Sequence, residues 1–185
     1  MEERQTRGSQ KALPFGACGF ESRPGHLLVR VATFTDARVI AEVHVASWKA
    51  AYRGLVAQEL LDALSVDERE RQWIEYLEGV RVLVVDDDDN GIAGFVAFDE
   101  PTADVKALYV APERFGTGVG SVLLRAAHEQ LQAAGRDEVA LWVFTDNAAA
   151  RAFYTAHGYA PDGATATNAR TGLEEVRLSR RLRNP

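Results

Sequence analysis

Apolar residues along the chain gather into short blocks whose spacing alternates between strand-like and helix-like. "HLLVRVAT" (26–33) reads as a strand, closed by Thr35 and Asp36, residue types that favour a helix start. The next stretch sets Val39, Ile40, Val43 and Ala50 on one face at helical spacing and runs to "SWKAAYRG", where Gly54 suits a helix stop. "AQELLDALSVDERERQWIEYLEG" keeps the helical period, with a break near Ser65. "RVLVV" and "GIAGFVAFDE" are strands joined by "DDDDNG", in which Asn90-Gly91 is a strong hairpin signal. "DVKALYV" is a fourth strand, followed by a glycine-bearing loop and a helix that ends near Gly135. "EVALWVF", the helix "NAAARAFYTAHG" and a last strand "LEEVRLSRRL" complete the chain. The order β-α-α-β-β-β-α-β-α-β predicts a mixed α/β sheet in one domain, over residues 26–185.

Residues 1–25 break the pattern, being rich in Gly, Pro, Ser and charge with no period, and read as an N-terminal tail or extension. The composition of the 185-residue chain, 46% hydrophobic and 26% charged, is that of a soluble globular protein. Its length gives a core that needs neither metal nor disulfide. Cys18 is the lone cysteine, so no intramolecular disulfide forms, and the expected compartment is a reducing cytoplasm. No apolar run approaches the roughly 20 residues of a membrane helix. With a formal net charge of −6 and no basic stripe, nucleic acid is not an expected partner. The run Asp86 to Asp89 reads as a solvated turn rather than a metal cage, because consecutive carboxylates point in different directions.

The glycine loop, "VAPERFGTGVGS" (110–121), is where chemistry enters. Strand, glycine-rich loop and helix in that order expose a row of backbone N–H groups at a helix N-terminus, which suits an anion. A dinucleotide loop wants G-x-G-x-x-G and a triphosphate loop ends in Gly-Lys-Ser/Thr; neither spacing is present, and a second βαβ half is missing. A tight turn without a ligand is the plain alternative.

"LYVAPERFGTGVGSVLL" resembles the acetyl-CoA signature of the GNAT superfamily of N-acyltransferases, and "LWVFTDNAAARAFYTAHGYAPDG" resembles that family's second signature. "SWKAAYRGL" is similar to the first helix of an acetyltransferase subgroup with Trp-x-x-x-Tyr-x-Gly there. Together they span the chain from about Leu27 onward. The resemblance implies the GNAT acyl-CoA N-acyltransferase fold, a mixed, mostly antiparallel sheet of about six to seven strands flanked by helices. It also implies an enzyme that moves an acetyl group from acetyl-CoA to a primary amine, with homodimers common among such relatives. Phe115 stands where the loop signature usually starts with Arg or Gln, and Arg114 comes one place earlier. Trp142 stands where members acting on protein N-termini often carry Glu, which argues against such substrates.

By that resemblance the loop Phe115, Gly116, Thr117, Gly118, Val119, Gly120 and Ser121 holds the cofactor, chiefly through the N–H groups from Gly116 to Ser121. Leu108 and Val110 offer backbone partners to its arm, and Asn147 adds a hydrogen bond. Asn147 is equally suited to a simple helix cap. Tyr154 is the expected general acid, since a phenol of pKa about 10 matches a departing thiolate; packing beside Phe153 is its structural alternative. Asp104, heading the fourth strand, is the expected base, with Glu175, Glu100 and His44 in reserve. His44, Trp48 and Tyr52 follow one another at four-residue steps, and Trp48 and Tyr52 are expected to shape the acceptor pocket. Cys18 sits in the tail and is a poor nucleophile, so direct transfer in a ternary complex is expected. The acidic candidates tilt the acceptor towards a cationic small molecule, a polyamine or amino-sugar compound. A non-catalytic CoA-binding module is the alternative function.

Overall fold

The computed structural model describes residues 27–87 and 91–182. The 1–25 segment, Cys18, and Asp88, Asp89 and Asn90 of the hairpin connection lie outside the described residues.

Seven strands form one sheet in the order β1-β2-β3-β4-β5-β7-β6. They are β1 (Val29–Val31), β2 (Arg81–Asp87), β3 (Gly91–Asp99), β4 (Asp104–Val110), β5 (Glu138–Phe144), β6 (Ala160–Thr167) and β7 (Glu174–Arg181). Every neighbouring pair is antiparallel except β4 and β5. Five helices connect them: α1 (Ala37–Ala51), α2 (Gln58–Asp62), α3 (Val66–Tyr76), α4 (Val119–Ala133) and α5 (Ala148–Ala156). Ser65 caps α3 by accepting from the Glu68 N–H, which accounts for the break expected there.

Strand alternation sorts side chains to two faces. Leu83, Val85, Val96 and Leu141 pack with Leu123, Leu124 and Ala127 of α4 on one face. Val82, Val84, Phe95 and Ala97 pack with Ile40, Val43 and Trp73 of α1 and α3 on the other. α4 lies close to β3 because Gly94 has no side chain: a Cβ there would stand 2.8 Å from the Tyr109 carbonyl oxygen and 3.0 Å from Val119.

Three expectations need correcting. Ala50 is exposed, because the buried stripe of α1 runs through Ala41, Val45 and Ser47 instead. β6 was not expected, since "APDGATAT" carries Pro161 and Gly163 and nearly every residue is exposed. It exists through pairing with β7 as an edge strand, its register slipping between Pro161 and Thr165. Asp86 and Asp87 are not merely solvated: Asp86 takes the Arg30 guanidinium at 2.8 Å and Asp87 takes that of Arg114.

Candidate active site

The centre of the site is a gap between two strands. β4 and β5 run parallel but are paired only at Asp104–Ala140 and Val105–Leu141. Against β3, β4 changes register between the Ala97–Ala107 and Phe98–Val105 pairs, so Lys106 is an extra, bulged residue. A bulge bends its strand, and here β4 leaves β5 just beyond it. The Ala111 N–H donates to the Ala93 carbonyl at 2.8 Å, which fixes the alternation along β4. Ala107 and Tyr109 therefore bond towards β3, and the backbone groups of Leu108 and Val110 turn to the gap. The Val110 carbonyl accepts from the buried Ser47 hydroxyl at 2.5 Å, which ties α1 to this edge of β4.

At the open end the chain makes a short 3-10 turn, Pro112–Arg114, and enters α4 through Gly116 and Gly118, at φ 74° and 91°. These left-handed conformations favour glycine and turn successive N–H groups outward. Among the described residues the N–H groups of Gly116, Gly118, Val119, Gly120 and Ser121 meet no acceptor. They form a donor row at the positive end of a 15-residue helix. Thr117 departs from the expected row, because its N–H and hydroxyl both fold back on the Arg114 carbonyl, at 3.3 and 2.7 Å. The Val119 side chain is in the core, so only its backbone serves. Phe115 is exposed at the lip, its N–H bonded to the Pro112 carbonyl. The Ser121 hydroxyl lies 3.0 Å from His157 Nε2, and His157 Nδ1 lies 2.8 Å from the Phe153 carbonyl. Because a carbonyl only accepts, Nδ1 carries a proton and donates to it.

Across the gap stands an aromatic wall. The Trp48 indole donates to the Tyr109 hydroxyl at 2.7 Å, and the Trp48 and Tyr52 rings meet at 4.7 Å. Tyr52 also meets Phe144 of β5 edge-on. His44 stacks on Tyr109 at 4.7 Å, so the expected stripe of His44, Trp48 and Tyr52 does line one wall. The Trp73 indole N–H, which can only donate, gives its hydrogen to His44 Nδ1 at 3.1 Å. Burial, and then the charge of Arg170, hold the His44 pKa down at about 4. Neutral His44 therefore keeps its proton on Nε2 and has no free lone pair with which to act as a base.

Tyr154, on α5, borders the same cavity and packs on Phe153 and Tyr159. Burial, and then the neighbouring Tyr109, push its phenol well above the usual tyrosine range. Asn147 caps α5 by accepting from the Ala150 N–H at 3.0 Å.

The carboxylates divide by position. Asp104 lies at the closed end of the gap, 3.1 Å from Lys106. Glu175 of β7 is opposite Phe144, four residues further along β5 than Ala140, or about 13 Å. It is held by the Asn168 amide at 3.0 Å, and its charge is felt at the Tyr109 hydroxyl. Glu100 faces Arg81 and does not border this cavity. Tyr109, Ser47, Asn168 and Arg170 border the site without having been singled out in the sequence. Only the "TNARTG" turn, with Asn168 four residues before Gly172, carried a local signal.

Loop, gap, Tyr154 and aromatic wall all open into one cavity of about 970 Å³. Its size fits an extended cofactor arm together with a small acceptor.

Comparison with known proteins places this geometry. A profile of the acetyltransferase (GNAT) domain matches residues 78–161, covering the gap, the loop and α5. The uncharacterized N-acetyltransferase YuaI of Bacillus subtilis (strain 168) is 31% identical over 161 residues, which cover 81% of this chain and 90% of YuaI. The fold matches PaiA N-acetyltransferase of Thermoplasma acidophilum, solved in complex with coenzyme A, with a TM-score of 0.71 and 19% identity over 83% of this chain and 97% of that one. It also matches yncA of Salmonella typhimurium, solved with its cofactor acetyl-CoA, with a TM-score of 0.61 and 20% identity over 85% and 94% of the two chains.

Proposed function

The chain belongs to the GNAT family of N-acetyltransferases, and on that premise we propose that it acetylates a primary amine of a small molecule by direct transfer in the gap between β4 and β5. Acetyl-CoA would supply the acyl group as an activated thioester. The observation that carries the reading is the parting of β4 from β5 immediately before the donor row of α4. An anionic diphosphate and an extended amide-bearing arm have partners there in one line.

The N–H groups of Gly116 and of Gly118 to Ser121 hold the diphosphate, and Leu108 and Val110 pair with the arm as an added strand would. An N–H of this edge aimed at the acyl oxygen stabilises the charge that develops there, by typically ~3–4 kcal/mol per donor. Asn147 adds a polar contact beside the arm. Trp48 and Tyr52 exclude water and position the acceptor. Glu175 takes the amine proton, directly or through one water, as the new C–N bond forms. Asp104, at the closed end beside Lys106, is the second candidate for that proton. As the C–S bond breaks, the sulfur receives its proton from Tyr154. Burial keeps that phenol protonated, while also making it a weaker acid than a free phenol.

The test is thermal unfolding with acetyl-CoA, CoA, NAD or ATP, followed by thiol release across a panel of amines. A ligand at about 100 times its Kd adds ~2.7 kcal/mol. In a chain of this size that raises the melting point by roughly 5–10 °C. A rise confined to the CoA species, with thiol release for some amine, is the expected result. A rise without release would leave a non-catalytic CoA-binding module, and no rise would overturn the reading.

A further inference from the structure

The acceptor half of the cavity carries charge of both signs. Four cationic side chains border the cavity as a whole: Arg69, Lys106, Arg114 and Arg170. Lys106 is paired with Asp104 and Arg114 with Asp87. Among the described residues no carboxylate lies within ion-pair distance of Arg69 or Arg170. Arg170 lies 5.6 Å above the Trp48 ring, which backs its flat guanidinium. Its charge is felt at His44, so it acts inside the aromatic wall rather than only at the rim. Arg69 lies one helical turn before Trp73 on α3 and bonds to Gln72.

One residue couples the two signs. Asn168 Oδ1 accepts from the N–H groups of Arg170 and Thr171, both at 3.1 Å, and from the Thr171 hydroxyl. Its Nδ2 donates to Glu175 at 3.0 Å. The backbone of the same turn closes on itself, Asn168 N–H to the Leu173 carbonyl and Gly172 N–H to the Asn168 carbonyl, both at 2.8 Å. The β6–β7 hairpin thus fixes the backbone that carries Arg170 and, through Asn168, the Glu175 carboxylate, both at the cavity. A polyamine would meet Arg170 as a like charge, whereas an amine that carries its own carboxylate satisfies both groups.

We propose that the acceptor is a free amino acid, its ammonium received by Glu175 and its carboxylate by Arg170 against Trp48. This rests on the acetyltransferase reading above and narrows it. Arg170 offers two parallel N–H donors to a carboxylate. The aromatic faces of Trp48, Tyr52 and Phe144 leave an apolar berth for the amino acid side chain.

The experiment measures initial rates of thiol release with saturating acetyl-CoA, for free L-amino acids, their amides and methyl esters, and spermidine. Amides and esters have the less basic amine, which is more often neutral, so nucleophilicity favours them over the free acids. The expected result is a kcat/KM at least roughly 10-fold higher for a free acid than for its amide. Arg170→Ala should raise KM for the free acid by roughly 10- to 100-fold, with kcat within about threefold, and leave the amide unaffected. Arg170→Lys should recover part of the loss, because it restores the charge but not the fork. Equal or better use of amides or spermidine by the wild type would overturn the proposal, as would an Arg170→Ala loss shared by acid and amide. In both cases the acetyltransferase reading stands. Absence of thiol release from every acceptor would overturn the two together.

Discussion

The indole N–H of Trp48 donates to the hydroxyl of Tyr109 at 2.7 Å, tying α1 to the face of β4 beside the gap. Tyr109 also stacks on His44 and packs on Phe95, so its ring belongs to the core while its hydroxyl belongs to the site. Tyr109→Phe keeps the ring and removes the acceptor of a partly buried donor, at a cost of about 1–3 kcal/mol. The variant should show a lower urea midpoint with an unchanged m-value, and a several-fold higher KM for the acceptor. Acetyl-CoA affinity should not change. An unchanged midpoint would mean that Trp48 finds another partner.

Gly94 sets how closely α4 approaches the sheet. The Cβ of Gly94→Ala would meet the Tyr109 carbonyl at 2.8 Å, Val119 at 3.0 Å and Leu123 at 3.2 Å. The Tyr109 carbonyl belongs to β4 and cannot swing aside, so β3 must shift against β4, and α4 must ease off at Val119 and Leu123, at a cost of about 1–3 kcal/mol. Val119 and Gly120 begin that helix, so acetyl-CoA binding should weaken as well. Gly79→Ala, where a Cβ meets nothing within 4 Å, is the control and should alter neither property. The idea fails if both variants melt and bind alike.

The order of elements was legible because each strand or helix with a buried face carries its own signal, a continuous apolar run in "EVALWVF" for β5 and a helical period in "VGSVLLRAAHEQLQA" for α4. β6 has no buried face, and its pairing is dictated by β7, so no local pattern announces it. The glycine loop, Asn147, Tyr154 and the Trp48–Tyr52 pair were legible for a related reason: each lies inside one continuous segment. Tyr109, Glu175 and Arg170 come from different segments and meet only when the sheet assembles. Their neighbourhood is a property of register, as is the place of Asp104 at the closed end, fixed by the bulge at Lys106.

Tyr154→Phe tests the proposed proton transfer to sulfur. Both rings pack on Phe153 and Tyr159, so stability should change little. kcat should fall by roughly 10²-fold, with acetyl-CoA affinity within a few-fold. Single-turnover measurement separates chemistry from product release. An unaltered rate of the chemical step would remove Tyr154 from the mechanism.

The two carboxylates can be told apart by substitution. Glu175→Gln keeps the hydrogen bond to Asn168 through its amide oxygen but cannot take a proton. kcat/KM should fall by roughly 10²–10⁴-fold. Asp104→Asn should stay within a few-fold of the wild type. The reverse ranking would assign the base to Asp104.

The buried imidazole of His44 makes acid stability predictable. In the folded chain its pKa is about 4, set first by burial among aromatic rings and then by the charge of Arg170. Unfolded, a histidine titrates near pH 6.5. Between these values the unfolded chain binds the extra proton, so stability is full above about pH 6.5 and falls as pH drops towards 4. At pH 5 the loss from His44 alone is about 2 kcal/mol. His128, buried beside Tyr159 and Arg180 and also held at about 4, acts in the same direction. Urea unfolding at pH 7 and pH 5 should therefore show a lower midpoint at pH 5. His44→Phe should lower stability at pH 7, because Trp73 loses the acceptor of its indole N–H, yet shrink the difference between the two pH values. An undiminished difference in that variant would place the acid sensitivity elsewhere.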